Sequence, residues 1–423
     1  MKFLRRFARR FLPNSIRTYL LKLYDTVLIW QWKFRWWKKR GFRPIQSPTK
    51  NGVLLVGYLH GGLGIGSALR LSCLALKKAE VPFKVFDFNP RTHTTLIDDE
   101  LKPYLTELPE YSINIFCIGL YQLPLLKKTF GKKFFQDRHN ILYGAWELGK
   151  LPEHWVRYLE NIDEIWGVSS FVGQMFRRST SLPVYDFPYP IHSSQIGSWS
   201  RDQFQIPKNN FVFLFMFDFD SHVARKNPEG VIKAFKFAFP KANQTPVSLV
   251  IKSINTDRHL DKQKTIEEII DGDTRIIQIH KVLSHNENKA LIHCCDCYVS
   301  LHRSEGFGLT IAEAMLIGKP VIATRYSGNL DFTTDQNSLL VDYQLVPVQM
   351  NFPYQYSKGE MWAEPNIDQA GEYMQKILND NKLANSLAEK GREMIRSSLS
   401  IKAIGERFKN RINTIIKANF IGA

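Results

Sequence analysis

The sequence predicts an α/β protein with two doubly wound parallel-sheet domains that face each other across a cleft, preceded by a basic helical segment. Three observations lead to this prediction. The chain has 423 residues, which is more than one hydrophobic core usually holds. Short apolar runs alternate with amphipathic helical patterns, and the alternation occurs in both halves of the chain. Hydrophobic residues make up 44% and charged residues 23%, a balance typical of a folded globular protein.

The predicted strands form two series, one in each half of the chain. Buried parallel strands read as continuous apolar runs, because helices cover both faces of their sheet. The first series is predicted at 53–59, 83–88, 113–118, 141–146, 164–168 and 184–188. The second series is predicted at 211–217, 248–252, 275–280, 297–301, 320–323 and 339–341.

The boundary between the domains is expected in a stretch rich in proline, serine and glycine at 188–200. Ligands of open parallel sheets bind outside the carboxyl ends of the strands, so the active site is expected in the cleft between the two sheets. The predicted segments are a basic aromatic segment at 1–45, an N-terminal domain at 46–195, a C-terminal domain at 196–400 and a final helix at 401–423.

Positive charge is concentrated at the N-terminus. The formal net charge is +17, and residues 1–45 contribute +12 of it, because thirteen Lys and Arg residues face the single anion Asp25. Apolar residues recur at helical spacing through this segment, and four tryptophans crowd between positions 30 and 37. A local positive field of this size suggests an acidic partner.

Three interpretations of the segment 1–45 compete. A helix at the headgroup level of an anionic membrane combines tryptophan and aliphatic residues on one side with Lys and Arg on the other. A nucleic-acid surface also combines cations with aromatic rings. A helical pair docked on the protein body would have merely solvated charges. The tryptophan-rich amphipathic pattern favours the surface of a membrane, and we expect no nucleic acid as a partner.

The cysteines indicate neither a disulfide framework nor a metal site. Cys294, Cys295 and Cys297 follow His293 closely, but they enter a predicted strand and lack the two spaced pairs usual for zinc. We therefore expect no metal ion. Free thiols fit a reducing compartment, and neither a secretory signal peptide nor an apolar run of eighteen residues is visible. The expected location is the cytoplasmic face of a membrane, with peripheral attachment.

The most specific motif lies directly after the predicted strand at 297–301. Residues 304–315 read Ser-Glu-Gly-Phe-Gly-Leu-Thr-Ile-Ala-Glu-Ala-Met, and a helix is predicted at 309–317. Gly306 and Gly308 permit a close approach of the backbone to a ligand. The free N–H groups at a helix start are a natural seat for a diphosphate. Two carboxylates flank this turn, and they can accept hydrogen bonds from sugar and ribose hydroxyls.

Two glutamates separated by seven residues around Gly-Phe-Gly-Leu resemble the signature of the GT-B glycosyltransferases of family 4. The segments 318–324 and 327–329 are similar to the same family, and the resemblance covers roughly residues 50–400. It implies two Rossmann-like domains and a retaining, metal-independent transfer of a sugar from a nucleotide-diphosphate donor. By analogy with many relatives, the helix at 401–423 is expected to cross back to the N-terminal domain.

The resemblance also implies roles for individual residues. Glu313 would hold the ribose and Glu305 would hold the transferred sugar. Contacts to the base are expected from the loop after the predicted strand at 275–280, at Val282 and Leu283. The sugar and diphosphate are expected to bind the backbone of the glycine turn, at Gly306, Phe307, Gly308, Leu309 and Thr310.

Family members place basic side chains on the diphosphate from the loop after the first strand of the second domain. That loop offers Arg225 and Lys226 here. The family commonly has an arginine five residues before the lysine, where this chain has Ser221, so Arg225 is expected to supply the missing charge. Asp218 and Asp220 are wrongly placed for the Asp-x-Asp of a metal-dependent fold. Near a diphosphate they must point away or pair with Arg225.

The first half supplies two further cleft segments. Gly62 and Gly64 belong to a glycine loop after the predicted strand at 53–59, which in the family lines the cleft near the donor phosphates and the acceptor. Trp146 and Glu147 follow another strand, where family members often carry a histidine. Glu147 is expected either to contact the acceptor or to act only as a helix-start carboxylate.

These expectations describe an enzyme that transfers a hexosyl group from a UDP- or GDP-sugar to a membrane-associated acceptor, such as a lipid-linked glycan or a surface-polysaccharide precursor. No cofactor is expected besides the donor co-substrate. Two alternatives stay open: an epimerase or phosphorylase on the same architecture, and an inactive membrane-bound scaffold. A nicotinamide-dependent oxidoreductase would rest on the glycine loop alone, which is a weak signal.

Overall fold

Two six-stranded parallel sheets dominate the computed structural model, and the predicted α/β architecture is confirmed. The structure describes residues 45–48, 50–61, 64–88, 100–192, 199–348 and 359–420, together with positions 26, 27, 30, 34 and 38. The rest of the basic segment 1–45, with its predicted helices, lies outside the described residues, as does Gly62.

The first domain is built on a sheet with the strand order β2-β1-β3-β4-β5-β6, in which every neighbouring pair is parallel. Within the described ranges, three α-helices connect its strands. The elements are β1 Lys50–Gly57, α1 Gly64–Lys78, β2 Phe83–Asp87, β3 Tyr111–Cys117, α2 Leu123–Phe130, β4 His139–Gly144, β5 Glu164–Gly167, α3 Ser170–Ser179 and β6 Val184–Asp186.

The second domain has the strand order β12-β11-β10-β7-β8-β9, also parallel throughout. The order reverses between β10 and β7, and such a switch point is where open α/β sheets bind ligands. The elements are β7 Phe211–Asp218, α4 Val223–Lys226, α5 Pro228–Ala238, β8 Val247–Ile254, α6 Leu260–Ile270, β9 Ile276–His280, α7 His285–Cys294, β10 Cys297–Ser300, α8 Leu309–Ile317, β11 Val321–Thr324 and β12 Leu339–Val341.

A two-stranded antiparallel ribbon follows the second sheet and was not predicted. It pairs β13 Tyr343–Pro347 with β14 Met361–Pro365. The criterion of continuous apolar runs misses it, because β13 is largely exposed and carries no such run.

Three helices complete the chain: α9 Ile367–Asn379, α10 Asn381–Ser398 and α11 Ile401–Phe420. The last of them packs against α1 of the first domain. Gly405 permits this close approach, since a Cβ atom there would lie 2.7 Å from the Ala75 carbonyl oxygen. The crossing begins where the Ile191 amide donates to the Leu399 carbonyl at 2.7 Å.

A buried carboxylate fixes α11 on the first domain. Glu164 of β5 is 1% exposed and forms an ion pair with Arg411, and its oxygens also receive the Trp166 indole N–H at 2.7 Å. The His139 ring lies 3.3 Å away. Burial alone would raise the pKa of Glu164, but the adjacent His139, Arg411 and Trp166 side chains hold it below its ordinary value.

Replacing Arg411 by methionine is expected to lower the stability of the protein by about 3 kcal/mol, because it leaves the Glu164 charge buried with weaker compensation. Calorimetric melting at neutral pH measures the change. The exposed Lys402→Met on the same helix is the control, with no change expected. A carboxyl group whose pKa is lowered by folding stabilises the folded protein when the pH is above the pKa of the unfolded chain. This stabilisation is lost as the pH falls, so the difference in stability between the wild type and Arg411→Met should shrink below about pH 4. Equal melting of both variants at pH 7 would contradict this.

Candidate functional site

The strands β7 and β10 end side by side at the switch point of the second sheet. After β7 the chain makes a short turn into α4, and His222 begins that helix with a positive φ of 64°. Asn227 ends it in the left-handed region and donates its side-chain amide to the Leu301 carbonyl at 2.9 Å. The Arg303 amide donates to the Arg225 carbonyl at 2.7 Å. The loops after β7 and β10 are therefore hydrogen-bonded to each other.

Lys226 and Glu305 meet where these two loops join. The Lys226 ammonium donates a short hydrogen bond to one Glu305 carboxylate oxygen, and Nη1 of Arg225 lies 3.3 Å from the other. The Glu305 amide donates to Oγ of Ser327 at 2.8 Å. Burial opposes ionisation of Glu305, but the charges of Lys226, Arg225 and His302 outweigh it and lower its pKa to about 2. Glu305 is therefore a carboxylate at neutral pH.

The guanidinium of Arg225 is largely occupied by the protein itself. It donates to the Ser304 carbonyl at 2.7 Å and to the Ser221 carbonyl at 3.0 Å, and it lies 3.6 Å from the Glu147 carboxylate. Its side chain is buried, whereas that of Lys226 is more accessible. Lys226 is therefore the cation better placed to meet a ligand, and Arg225 shapes the loop around it.

The first domain contacts the glycine turn directly. Oγ of Ser169 donates to the Gly306 carbonyl at 2.6 Å, and Oγ of Ser304 donates a short hydrogen bond to the Glu147 carbonyl. A Cβ atom at Gly306 would lie 3.1 Å from the Trp146 carbonyl oxygen, so a side chain there would crowd the domain interface. Glu147, Arg225, Lys226 and Glu305 thus form one cluster that spans the cleft.

The turn ends at Gly308, whose φ of 97° makes it the left-handed cap of α8. Phe307 is buried between the rings of Tyr189 and Phe332. Thr310 accepts a hydrogen bond of 2.7 Å from the Tyr298 hydroxyl. The first amides of α8 have no partners within the helix and point toward the cleft end of the sheet. A helix start of this kind can bind an anion, and the binding of a diphosphate here stays a prediction.

Glu313 lies one turn further into α8 and belongs to a different electrostatic group. Burial raises its pKa, and the nearby charges of Lys289, Arg70 and Lys252 lower it by a smaller amount. The two motif glutamates therefore have opposite environments: Glu305 is paired with Lys226, and Glu313 faces a separate set of cations.

The glycine loop of the first domain is held by charged side chains. Nη1 of Arg70 donates to the carbonyls of Leu59 at 2.7 Å and Gly61 at 3.0 Å. Asp87 accepts the Leu59 amide at 2.9 Å, and its second oxygen lies 2.7 Å from Nδ1 of His60. Asp87 is thus committed to the loop rather than poised for the ribose of a dinucleotide. Beside this loop, Gly64 lies against Leu309 at the start of α8.

Other predicted site residues differ in accessibility. Val282 is 50% exposed, whereas Leu283 is 2% exposed and packs in the core, so only its backbone can meet a base. The Trp146 indole is buried against Trp155 and donates to the Lys150 carbonyl at 2.9 Å. Its side chain therefore serves packing.

The carboxylates of the Asp-x-Asp sequence are directed away from Arg225. Asp220 pairs with Arg258 at 2.6 Å, and Asp218 accepts the Asn255 amide at 2.7 Å. Within the described ranges, no group of three or more His, Cys, Asp or Glu residues is arranged to hold a metal ion.

Several residues of the site were not found from the sequence. The Arg303 guanidinium donates to the two carboxylate oxygens of Glu364 in β14 at 2.5 and 2.8 Å. The Arg303 carbonyl accepts a hydrogen bond from the Ala363 amide at 2.9 Å. Glu360, before β14, accepts the Lys150 amide of the first domain at 3.2 Å. The ribbon therefore links both sides of the cleft. The signal in the sequence that could have found Arg303 is its position just after a strand, where parallel sheets bind ligands.

Residues 199–394 match the profile of a protein family described as Glycosyl transferases group 1. Over 159 residues the chain is 24% identical to the alpha-1,3/1,6-mannosyltransferase ALG2 of Dictyostelium discoideum, covering 38% of this chain and 32% of that protein. Over 196 residues it is 22% identical to the capsular polysaccharide biosynthesis glycosyltransferase CapM of Staphylococcus aureus, covering 46% and 44%. The matches thus span less than half of either relative.

Among solved structures, HepE of Anabaena in complex with UDP and glucose aligns with a TM-score of 0.63 at 14% identity. The alignment covers 86% of this chain and 100% of that one. At this identity the similarity shows the fold alone. Residues 199–394 therefore resemble the glycosyl transferases group 1 family, and the two domains of the chain together have the GT-B fold.

Proposed function

We propose that this protein is a retaining glycosyltransferase that moves a sugar from a nucleoside-diphosphate donor to an acceptor bound against the first domain. The observation that carries the proposal is the contact between Lys226 and Glu305 at the switch point, directly before the glycine cap of α8. This places a cation, a carboxylate and free helix amides around one crevice. The family of residues 199–394, and the UDP and glucose bound by HepE, support the same chemistry.

The charges of the site match those that develop in the reaction. Breaking the anomeric bond leaves a cationic sugar ring and a diphosphate of growing negative charge. Preorganised donors aimed at this charge stabilise the transition state most. Lys226 and the first amides of α8 are the donors proposed for the diphosphate, while Glu305, ionised at neutral pH, accepts hydrogen bonds from the sugar hydroxyls.

Lys226 has to exchange partners when the donor binds. In the structure its ammonium is held by Glu305, and Arg225 supports the same carboxylate. An arriving diphosphate competes for Lys226, which frees one Glu305 oxygen for the sugar. With this positive charge supplied by the protein, we propose a reaction without a metal cofactor, in which the leaving phosphate itself takes the acceptor proton.

For the acceptor, we propose a glycan carried by a lipid, or a surface-polysaccharide precursor, met at the cytoplasmic face of a membrane. The described helical positions Val27, Trp30 and Phe34 are 46%, 65% and 49% exposed, and the last two rings stack at 5.8 Å. Exposed apolar residues within a segment of charge +12 suit an anionic bilayer. No helix in the described part of the chain is long and apolar enough to span a membrane.

A thermal-shift screen with UDP, GDP, ADP, CMP and NAD, with and without Mg²⁺, tests the donor site. One nucleoside diphosphate is expected to raise the melting temperature without Mg²⁺, because a ligand that binds only the folded state stabilises it. Its identity names the base. Stabilisation by NAD alone, or by none of these compounds, would contradict the proposal.

Lys226→Met and Glu305→Gln are each expected to lower kcat by about a hundredfold or more, since each removes a charged group from the reacting centre. The measurement is the release of nucleoside diphosphate from the donor sugar that the screen identifies. Lys233→Met on α5, an exposed lysine outside the cleft, is the control. Wild-type turnover by both site variants, with melting unchanged, would refute the assignment.

Co-sedimentation of the full chain with vesicles containing phosphatidylglycerol tests the membrane surface. Binding is expected at low salt, is expected to weaken as salt screens the charges, and is expected to be lost on deletion of residues 1–45. Phosphatidylcholine vesicles are the neutral control. Equal binding by the deletion variant would overturn this part of the proposal.

A further inference from the structure

Lys252 is a buried cation that the mechanism above does not use. It lies near the carboxyl end of β8, paired in register with Met216 of β7 and Ile279 of β9. Alternate residues of a strand share one face, so Lys252 lies on the face of Val250. Val250 packs in the same cluster as Leu291 of α7 and residues of α8. Lys252 therefore lies under the helix that carries Glu313.

The side chain of Lys252 is 6% exposed, and within the described residues its ammonium forms neither a hydrogen bond nor an ion pair. Keeping a largely buried lysine without such a partner is costly, and an anion that arrives from outside would offset this cost. The carboxylates that influence it are Asp218 and Glu313. The Glu313 carboxylate is also influenced by Lys289 and Arg70, so three cations share it.

The two carboxylates near Lys252, Asp218 and Glu313, belong to the two ends of the crevice proposed for the nucleotide. Asp218 is the last residue of β7, just before the loop that carries Lys226, and Glu313 is the residue proposed to hold the ribose. Lys252 lies near the carboxyl end of β8, within electrostatic reach of both Asp218 and Glu313. A nucleoside diphosphate bound between Glu313 and Lys226 would therefore carry the phosphate next to the nucleoside close to this ammonium.

We propose that Lys252 binds the α-phosphate of the nucleotide donor, while Lys226 binds the β-phosphate. The inference rests on the proposed function, and it divides recognition of the diphosphate between one lysine on β8 and one on the short helix after β7. Burial lowers the pKa of Lys252 to about 8, although Asp218 and Glu313 act to raise it. The side chain is thus mainly protonated at neutral pH, and a bound phosphate favours that charged form further.

The division predicts a pattern across three ligands that differ only in phosphate number. Isothermal titration at pH 7 with uridine, UMP and UDP, or with the guanosine series if the wild-type protein prefers it, measures this pattern. Lys252→Met is expected to weaken UMP and UDP alike by about 10- to 100-fold, the usual effect of losing a hydrogen bond to a charged group. Uridine should be unaffected. Lys226→Met should weaken UDP and leave UMP unchanged.

Lys319→Met is the matched control, because Lys319 is a partly buried lysine at the opposite, amino end of the sheet, bonded to the His293 carbonyl at 2.8 Å. If Lys252→Met fails to fold, Lys252→Gln takes its place in the same titrations. Wild-type affinity of the Lys252 variant for UMP and UDP would overturn the inference, as would an equal loss for uridine. Failure of the wild-type protein to bind any of these nucleotides would instead overturn the proposed function.

Discussion

The pairing of Lys226 with Glu305 depends on one topological fact, which is that β7 and β10 are neighbours although two helix–strand units separate them in the chain. Their carboxyl ends bring two loops to a single point, and Asn227 bonds these loops to each other. Lys226 from the loop after β7 and Glu305 from the loop after β10 can then form a buried ion pair. The low pKa of Glu305 follows from this placement, and so does the geometry available to a diphosphate.

The same point is also where the domains touch. Ser169 and Ser304 make hydrogen bonds across the cleft to backbone carbonyls, and Gly306 has no side chain that would separate them. Arg303 and Glu360 extend the contact through the ribbon to Lys150. Both domains thus shape the crevice proposed for the donor, so a change in their separation alters the crevice as well.

The sequence allowed prediction of those features that leave a pattern along the chain. All twelve strands of the two sheets were found, because a strand such as β7 is buried on both faces and reads as an unbroken apolar run. The motif around Glu305 was found because strand, glycine turn and helix follow one another directly. Arg303 and Glu364 were not paired in advance, since 61 residues separate them and periodicity carries no information on such distances. No pattern along the chain singles out Lys252, because its neighbours belong to β7 and to the helix that carries Glu313.

The crossing of α11 to the first domain has a consequence for how the protein forms. Residues of α1, including Ala75, are covered by a helix that lies after the whole second domain in the chain. During synthesis the first domain therefore emerges with an apolar groove open to solvent, and β5 carries Glu164 without its arginine. That groove closes only when Gly405 and the residues around it have been made. The N-terminal half is thus a discontinuous folding unit, and its completion shows that the second domain has already been translated.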